Sequence, residues 1–508
     1  MARIVPQHGE IVQRSPDANL RRFAVVCAVG AALVVGLVAR LQGIGSSLWV
    51  DEFGTLWVVE KSLRDAAQRA IQVQGQTPLY YTLVWGALKV FGESEFALRS
   101  VSVGAVLAAT AMLWKTARSM AGDIAGLGSA ILFWFSPAVV TVSASARPYA
   151  LGLLCAAVSV LGFVDACQTG RRRGRLLFVF GCAALFWTHY LMSLMLGGLV
   201  AGYVLAPALR SKYPWRSLFV DLVFAGILLL PTIPQWLALT ARRGAMNWST
   251  TGPTFDAFKP LVPMIAIGAA AALFRRRDPD RVRAGLMLSL WLAVVCQIGV
   301  LWVATLVGVN LLVQRFLLVA IVPATIVAGV GLAGFGLTIT AIAAAGVLLL
   351  AAPEVRATHQ VIGSFSGAGF QQWREAVDDL ASRVAPGAPV LYRSGFVEDD
   401  APPLNELAPM SLAPLRSPGR VAPQFRILPL PFRWSNPDRE RYFDAEIAPQ
   451  LDRERLFFYL GPPMTEPHVG SYADNVAAFV RSRWPNRFHI TAVGAYRGLT
   501  LLRFSQDD

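Results

Sequence analysis

Charge is scarce along most of this chain, and that scarcity sets the first limits. Asp, Glu, Lys and Arg make up only 15% of the 508 residues against 55% hydrophobic ones, and the mean hydropathy is +0.50. Such a balance excludes an ordinary soluble enzyme and fits a polytopic membrane protein. Cysteine is also rare. Cys27, Cys155, Cys167, Cys182 and Cys296 all lie in or at the edge of apolar runs, with no C-x-x-C pair. That excludes a disulfide framework and a cysteine metal site. The chain has no G-x-G-x-x-G at a strand–helix turn and no P-loop, so we expect no nucleotide site and no cofactor.

Basic residues are the exception to the scarcity, with 46 Lys and Arg against 32 Asp and Glu and a net charge of +14. In a soluble chain this would raise nucleic acid as a partner. Here the basic residues sit in short clusters between apolar runs, which is the pattern that orients a membrane protein. We therefore expect anionic lipid rather than nucleic acid as their neighbour. Met1–Arg22 resembles a signal n-region, but the apolar run behind it is long and no small-residue cleavage site follows. An uncleaved first span is the expectation.

A span needs about 20 apolar residues. Eleven runs qualify or nearly do: Phe23–Leu41, Ala97–Trp114, Ile124–Val142, Tyr149–Ala166, Leu176–Trp187, Leu191–Leu209, Leu218–Leu239, Pro260–Phe274, Ala284–Leu306, Leu311–Leu332 and Phe335–Ala352. Leu79–Phe91 is apolar but too short to span comfortably. If it lies in the interface, Arg21/Arg22, Lys115/Arg118, Arg171–Arg173, Arg210/Lys212 and Arg275–Arg277 all fall on one side, as the positive-inside rule requires. Leu79–Phe91 is accordingly predicted as a juxtamembrane segment inside one large external loop from Trp49 to Arg99. The predicted topology is eleven spans, N-terminus inside and C-terminus outside.

After about Pro353 apolar runs shorten and Pro and charge rise. Strand-like pieces at Val390–Tyr392, Arg426–Leu428, Leu456–Leu460, Phe488–Val493 and Leu499–Phe504 alternate with helical patterns at Gln371–Val384, Pro437–Leu451 and Tyr472–Trp484. This predicts a small external α/β domain over 353–508, following a membrane domain over 1–352.

Most of the chemistry gathers on the predicted outer face. Asp51 and Glu52 are adjacent carboxylates just beyond the first span, costly near a bilayer unless solvated, paired or working. Arg147 sits in Ser145-Ala146-Arg147-Pro148-Tyr149, where a guanidinium fork suits phosphate oxygens, although snorkelling to anionic lipid suits it too. Arg315 lies among apolar neighbours and calls for a counter-charge. His189-Tyr190 ends the short fifth span. Glu93, Glu95 and Arg99 bracket the end of the juxtamembrane segment, and pairing among themselves is the plain account. Trp49, Tyr80, Tyr81 and Trp85 read equally as a sugar platform or as an aromatic belt.

LWVDE, TPLYY, FGESEFALRS, SARPYA, THY and QRFLL, in this order over roughly Arg22–Leu332, resemble the bacterial polyprenyl-phosphate-sugar glycosyltransferases of the GT-C fold. Relatives of that group include protein O-mannosyltransferases, lipid A aminoarabinose transferases and galacturonosyltransferases of lipopolysaccharide core. QQWREAVDDL…PGAPVLY is similar to a common opening of their last domain. The resemblance implies a monosaccharide donor on a polyprenyl phosphate and an acceptor that is an envelope glycan, lipid or protein. With the topology above, it leads us to expect a bacterial inner-membrane protein with a cytoplasmic N-terminus and a periplasmic active site and last domain, and we expect a monomer. By resemblance Asp51 matches the acidic position of the first loop and would be the base, with Glu52 beside it as a second catalytic carboxylate or an acceptor ligand. Arg147, Arg315 and His189 would bind donor phosphate. Tyr81, Glu93, Arg99, Tyr149 and Tyr190 would contact substrate.

Two departures stand out. Gln76-Thr77 precedes Pro78 where many relatives carry His, Lys or Glu. The loop Ser143–Tyr149 holds no carboxylate where metal-using relatives have one, so transfer without a metal is expected. A lipid-linked sugar flippase or transporter, and a lipid-diphosphate-dependent oligosaccharide ligase, are the alternative readings. A transporter would put ionisable groups near the midplane, and this chain has almost none inside its spans.

Overall fold

The structure is a computed structural model that describes residues 30, 34, 36–38, 40–41, 44–73, 76–241, 258, 261–274, 280–309, 311–340, 342–343, 345–346, 371–400, 403–416, 424–466, 468–494 and 496–506. Most of the expected first and last spans, the boundary at 352/353, the Arg242–Lys259 loop apart from Phe258, and the Arg275–Arg277 cluster lie outside these residues.

The stretch from Trp49 to Arg99, expected as one external loop, is helical over most of its described residues. Helix α1 is Val50–Val59, α2 is Leu63–Gln72 and α3 is Pro78–Phe91. The third covers the run Leu79–Phe91 that was expected to lie in the interface. At 14 residues it is about 21 Å long, well short of a hydrocarbon core of about 30 Å. The first two were not expected. Ser62 caps α2 and exchanges hydrogen bonds with Asp65 in a capping box.

The membrane domain continues with α4 Glu95–Ala121, α5 Asp123–Trp134, α6 Pro137–Ser143, α7 Tyr149–Thr169, α8 Arg172–Thr188, α9 Leu194–Leu205, α10 Trp215–Leu237, α11 Val262–Phe274, α12 Arg281–Leu306 and α13 Gln314–Ala333. Five of these, α4, α7, α10, α12 and α13, are long and apolar enough to cross a membrane among the described residues, or six if α5 and α6 form one span. The expected run Ile124–Val142 is in fact broken, with a 63° bend between α5 and α6. Pro137 opens α6, where its missing N–H costs nothing, and the break leaves carbonyls of α5 to be satisfied from outside. Arg40 does so, donating to Trp134 O and to Ser143 Oγ at 2.9 Å while lying over the Trp134 ring. Helices pack at small residues, as expected where lipid supplies no hydrophobic drive between them. Gly198 and Gly202 of α9 meet the backbone of α12 so closely that no Cβ would fit.

The last domain is α/β, as its pattern predicts. Strands β1 Pro389–Tyr392, β2 Arg426–Pro429, β3 Leu456–Gly461, β6 His489–Ala492 and β7 Thr500–Ser505 form a sheet of order β2-β1-β3-β7-β6, with β1 parallel to both neighbours and β7 antiparallel to both of its own. A short pair, β4 Thr465–Glu466 and β5 Gly470–Ser471, stands apart. Helix α14 is Trp373–Arg383 and α15 is Tyr472–Arg483. Side chains alternate across β3. Phe457 and Tyr459 enter a core with α15, while Phe458 and Leu460 belong to a second core shared with Trp373 and with Leu48 and Phe53 of the membrane domain. One face of the sheet therefore continues into the apolar core that supports α1.

Candidate active site

Two adjacent carboxylates leave α1 about 100° apart, the angular step of a helix, and meet different surroundings. Glu52 turns inward. Its Oε1 accepts from Arg99 Nε at 2.9 Å and from Ala146 N at 2.7 Å, and its Oε2 accepts from Arg99 Nη2 at 2.6 Å and from Trp49 N at 3.2 Å. Both side chains of the Glu52–Arg99 pair are fully buried. Arg99 also donates to Ile44 O, Ser46 O and Ser47 O at 2.7–3.1 Å, clamping the turn that enters α1. The Glu52 carboxylate, expected as a second catalytic group, is thus saturated and closed to substrate. Arg99, expected at the substrate and otherwise paired with Glu93 or Glu95, is committed to Glu52 and this turn.

Asp51 faces the other way, with 29% of its side chain exposed. Its Oδ2 stands 3.8 Å from Arg147 Nη2 and 3.8 Å from Arg315 Nη1. Both separations exceed the roughly 2.7–2.9 Å of a close charge-assisted hydrogen bond. Arg147 Nη1 donates to the Asp51 carbonyl at 3.2 Å. The loop that delivers Arg147 is held down by the same helix: Glu52 takes the Ala146 N–H, Thr55 Oγ1 donates to Ala146 O at 2.9 Å, and Ser102 Oγ of α4 donates to Ser145 O at 2.6 Å. The closed cluster therefore sets the register of the open one.

Arg315 is placed from the far side of the domain. Gln297, buried in the middle of α12, donates to Phe316 O at 2.7 Å and to Leu191 O at 3.0 Å. One amide thereby ties the start of α13 to the turn following His189. Sequence reasoning missed Gln297, although a lone amide inside the apolar run Ala284–Leu306 was a visible signal, since an unpaired polar group there is costly.

His189 is buried among aromatic rings, with Tyr149 and Tyr190 at 5.7 Å and Phe316 at 5.4 Å between centroids. Its Nδ1 meets no hydrogen-bond partner among the described residues. Burial, then the Arg315 and Arg147 guanidinium groups, push the imidazole down to about 3, so it is neutral. Tyr149 lies beside Arg147. Tyr81 is buried, with its hydroxyl donating to Gln76 Oε1 at 3.1 Å. Burial pushes Tyr81 up to about 12 against the pull of Arg147, with Tyr149 and Asp51 adding to the rise. The structure thus brings Asp51, Arg147, Arg315, His189, Tyr81, Tyr149 and Tyr190 into one neighbourhood. Glu93 is exposed and takes no part, and Glu95 pairs with Arg374 of the last domain at 2.8 Å. Among the described residues no three His, Cys, Asp or Glu side chains gather as metal ligands.

An arginine-flanked carboxylate on α1 thus stands beside a bundle of apolar helices and an α/β sheet. Residues 75–237 match the family described as dolichyl-phosphate-mannose-protein mannosyltransferase. The fold is similar to the crystal structure of ArnT from Cupriavidus metallidurans bound to undecaprenyl phosphate, with a TM-score of 0.55 at 13% identity over 94% of this chain and 98% of that one. The apo structure of the same ArnT aligns with a TM-score of 0.49 at 13% identity over 95% and 98%. No curated protein sequence matches the chain significantly. The sequence resemblance is thus borne out in the family domain and the fold.

Proposed function

We propose that the protein transfers a monosaccharide from a polyprenyl-phosphate donor to an envelope glycan, lipid or protein acceptor at the periplasmic face of a bacterial inner membrane. The convergence of Arg147 and Arg315 on one oxygen of the partly exposed Asp51 carboxylate carries this reading. An acceptor hydroxyl attacks the anomeric carbon, and its proton passes to Asp51. The anomeric carbon–oxygen bond to phosphate breaks with inversion, and the negative charge gathering on the lipid phosphate is met by the two guanidinium groups. Neutral His189 offers a hydrogen bond to phosphate or sugar, with Tyr81, Tyr149 and Tyr190 around them. Glu52 and Arg99 hold the site together without touching substrate. The family match at 75–237, the fold likeness, and the undecaprenyl phosphate in the ArnT structure support a lipid-phosphate donor.

The test is purified protein with radiolabelled polyprenyl-phosphate sugars and a panel of envelope acceptors. Transfer from the lipid-linked donor, retained in excess chelator, is expected. Product formed only from nucleotide sugars or lipid diphosphates would overturn the donor assignment. Complete loss in chelator, restored by Mg²⁺ or Mn²⁺, would overturn metal-independent transfer.

A further inference from the structure

Helix α1 carries the proposed base, yet its N-cap residue Trp49 makes no side-chain hydrogen bond to the helix. A helix start leaves several backbone N–H groups without intrahelical partners. Glu52 reaches back to Trp49 N, while the Val50 N–H, at the first helical position, points elsewhere. It donates at 2.9 Å to Gln371 Oε1, which lies 321 residues away at the entrance of the last domain. Gln371 is 2% exposed, and the same oxygen accepts from Trp373 Nε1 at 3.0 Å. The next turn of the last domain repeats the grip. Arg374 N donates to Ser47 Oγ at 3.1 Å, and its guanidinium reaches Gly45 O at 3.1 Å and Glu95 at 2.8 Å. Trp373 packs edge-on to Phe53 of α1, with ring centroids 6.5 Å apart.

The turn 44–49 is therefore held by two arginines, Arg99 from within the membrane domain and Arg374 from outside it. Resting on the proposed function, we propose that the last domain is a working part of the transferase site, with Gln371 a positioning residue that caps α1 and fixes the direction of Asp51. Removing the cap frees the first turn of α1, and Asp51, its second residue, loses its register against Arg147 and Arg315. A misplacement of about 1 Å at a reacting group can cost on the order of 100-fold in rate. The donor phosphate contacts come from other elements and should be spared.

The experiment uses the full-length chain in lipid nanodiscs. Hydrogen–deuterium exchange is followed in the peptide spanning 49–59, beside steady-state transfer from the radiolabelled lipid-phosphate sugar. Gln371→Leu should speed exchange at the start of α1, and it should lower kcat about 10- to 100-fold with donor KM within about two-fold. Gln371→Glu keeps an acceptor for both N–H groups beside a helix N-terminus, where negative charge is favoured, and should restore slow exchange and most of the turnover. Unchanged exchange in Gln371→Leu, or a rise in KM alone, would overturn the positioning role. A wild-type chain inactive with every lipid-linked sugar would sink the functional reading, and exchange at 49–59 would then decide the cap alone.

Discussion

The Glu52 carboxylate accepts four hydrogen bonds, from Arg99 at 2.9 and 2.6 Å and from two backbone amides at 2.7 and 3.2 Å. Around Asp51, one residue earlier, two guanidinium groups stand off at 3.8 Å and part of the carboxylate meets solvent. The same charge types, a turn-fraction apart on one helix, make a closed joint and an open site. Burial makes the difference. A fully buried pair stays folded only when every lone pair and proton is matched, while a half-open cluster can exchange one anionic partner for another. The closed joint also builds the open site, because Glu52 and Thr55 hold the loop that presents Arg147.

Breaking the joint should have the largest effect. Arg99→Ala leaves Glu52 buried without its partner, a loss of about 3–5 kcal/mol for a pair of this kind, read as a lowered thermal midpoint in detergent and poor recovery of folded protein. A midpoint unchanged from wild type would mean that the pair contributes little and that Glu52 is open to other work. On the open side, Arg315→Ala and Arg147→Ala should each weaken donor binding by about 10-fold or more, since a charged hydrogen bond is worth about 1.5–3 kcal/mol, with the midpoint nearly unmoved. Unchanged donor affinity in both would leave them as lipid-facing cations.

The smallest expected effect sharpens the role of His189. Its folded-state value of about 3 lies below its ordinary value of 6.5, so the neutral ring is the stabilised form. That contribution is complete above about pH 6.5 and is lost as pH falls toward 3. Between pH 6.5 and 8 the pH profile of transfer should carry no His189 ionisation, and His189→Gln should keep the wild-type shape at a lower rate. A wild-type inflection near pH 6.5 that disappears in the variant would contradict a neutral imidazole.

Much of this was legible in the sequence, for physical reasons that also explain the rest. The five strands of the main sheet and the helices Trp373–Arg383 and Tyr472–Arg483 follow from periodicity, and Leu79–Phe91 was set apart by its length. The candidate residues were readable because carboxylates and arginines beside a bilayer demand an explanation. How they divide into two clusters was not, since Arg99 reaches Glu52 across 47 positions of sequence and no spacing rule reports which carboxylate faces inward. Helices α1 and α2 were overlooked within a loop, although the Ser62–Asp65 capping box marks the second. The break at Pro137 was passed over, although Ser136-Pro137 inside the run Ile124–Val142 is a visible helix-breaking signal. Gln371 carried no local signal, because its partner is the first amide of a helix in the other domain.

The central claim is that Asp51 takes the acceptor proton while other groups hold the donor. It is tested most directly by donor binding and single-turnover transfer measured on one preparation of Asp51→Asn. The account predicts donor affinity within about two-fold of wild type and transfer reduced on the order of 10²–10⁴-fold, the usual contribution of a positioned base. Transfer at the wild-type rate in Asp51→Asn would contradict it.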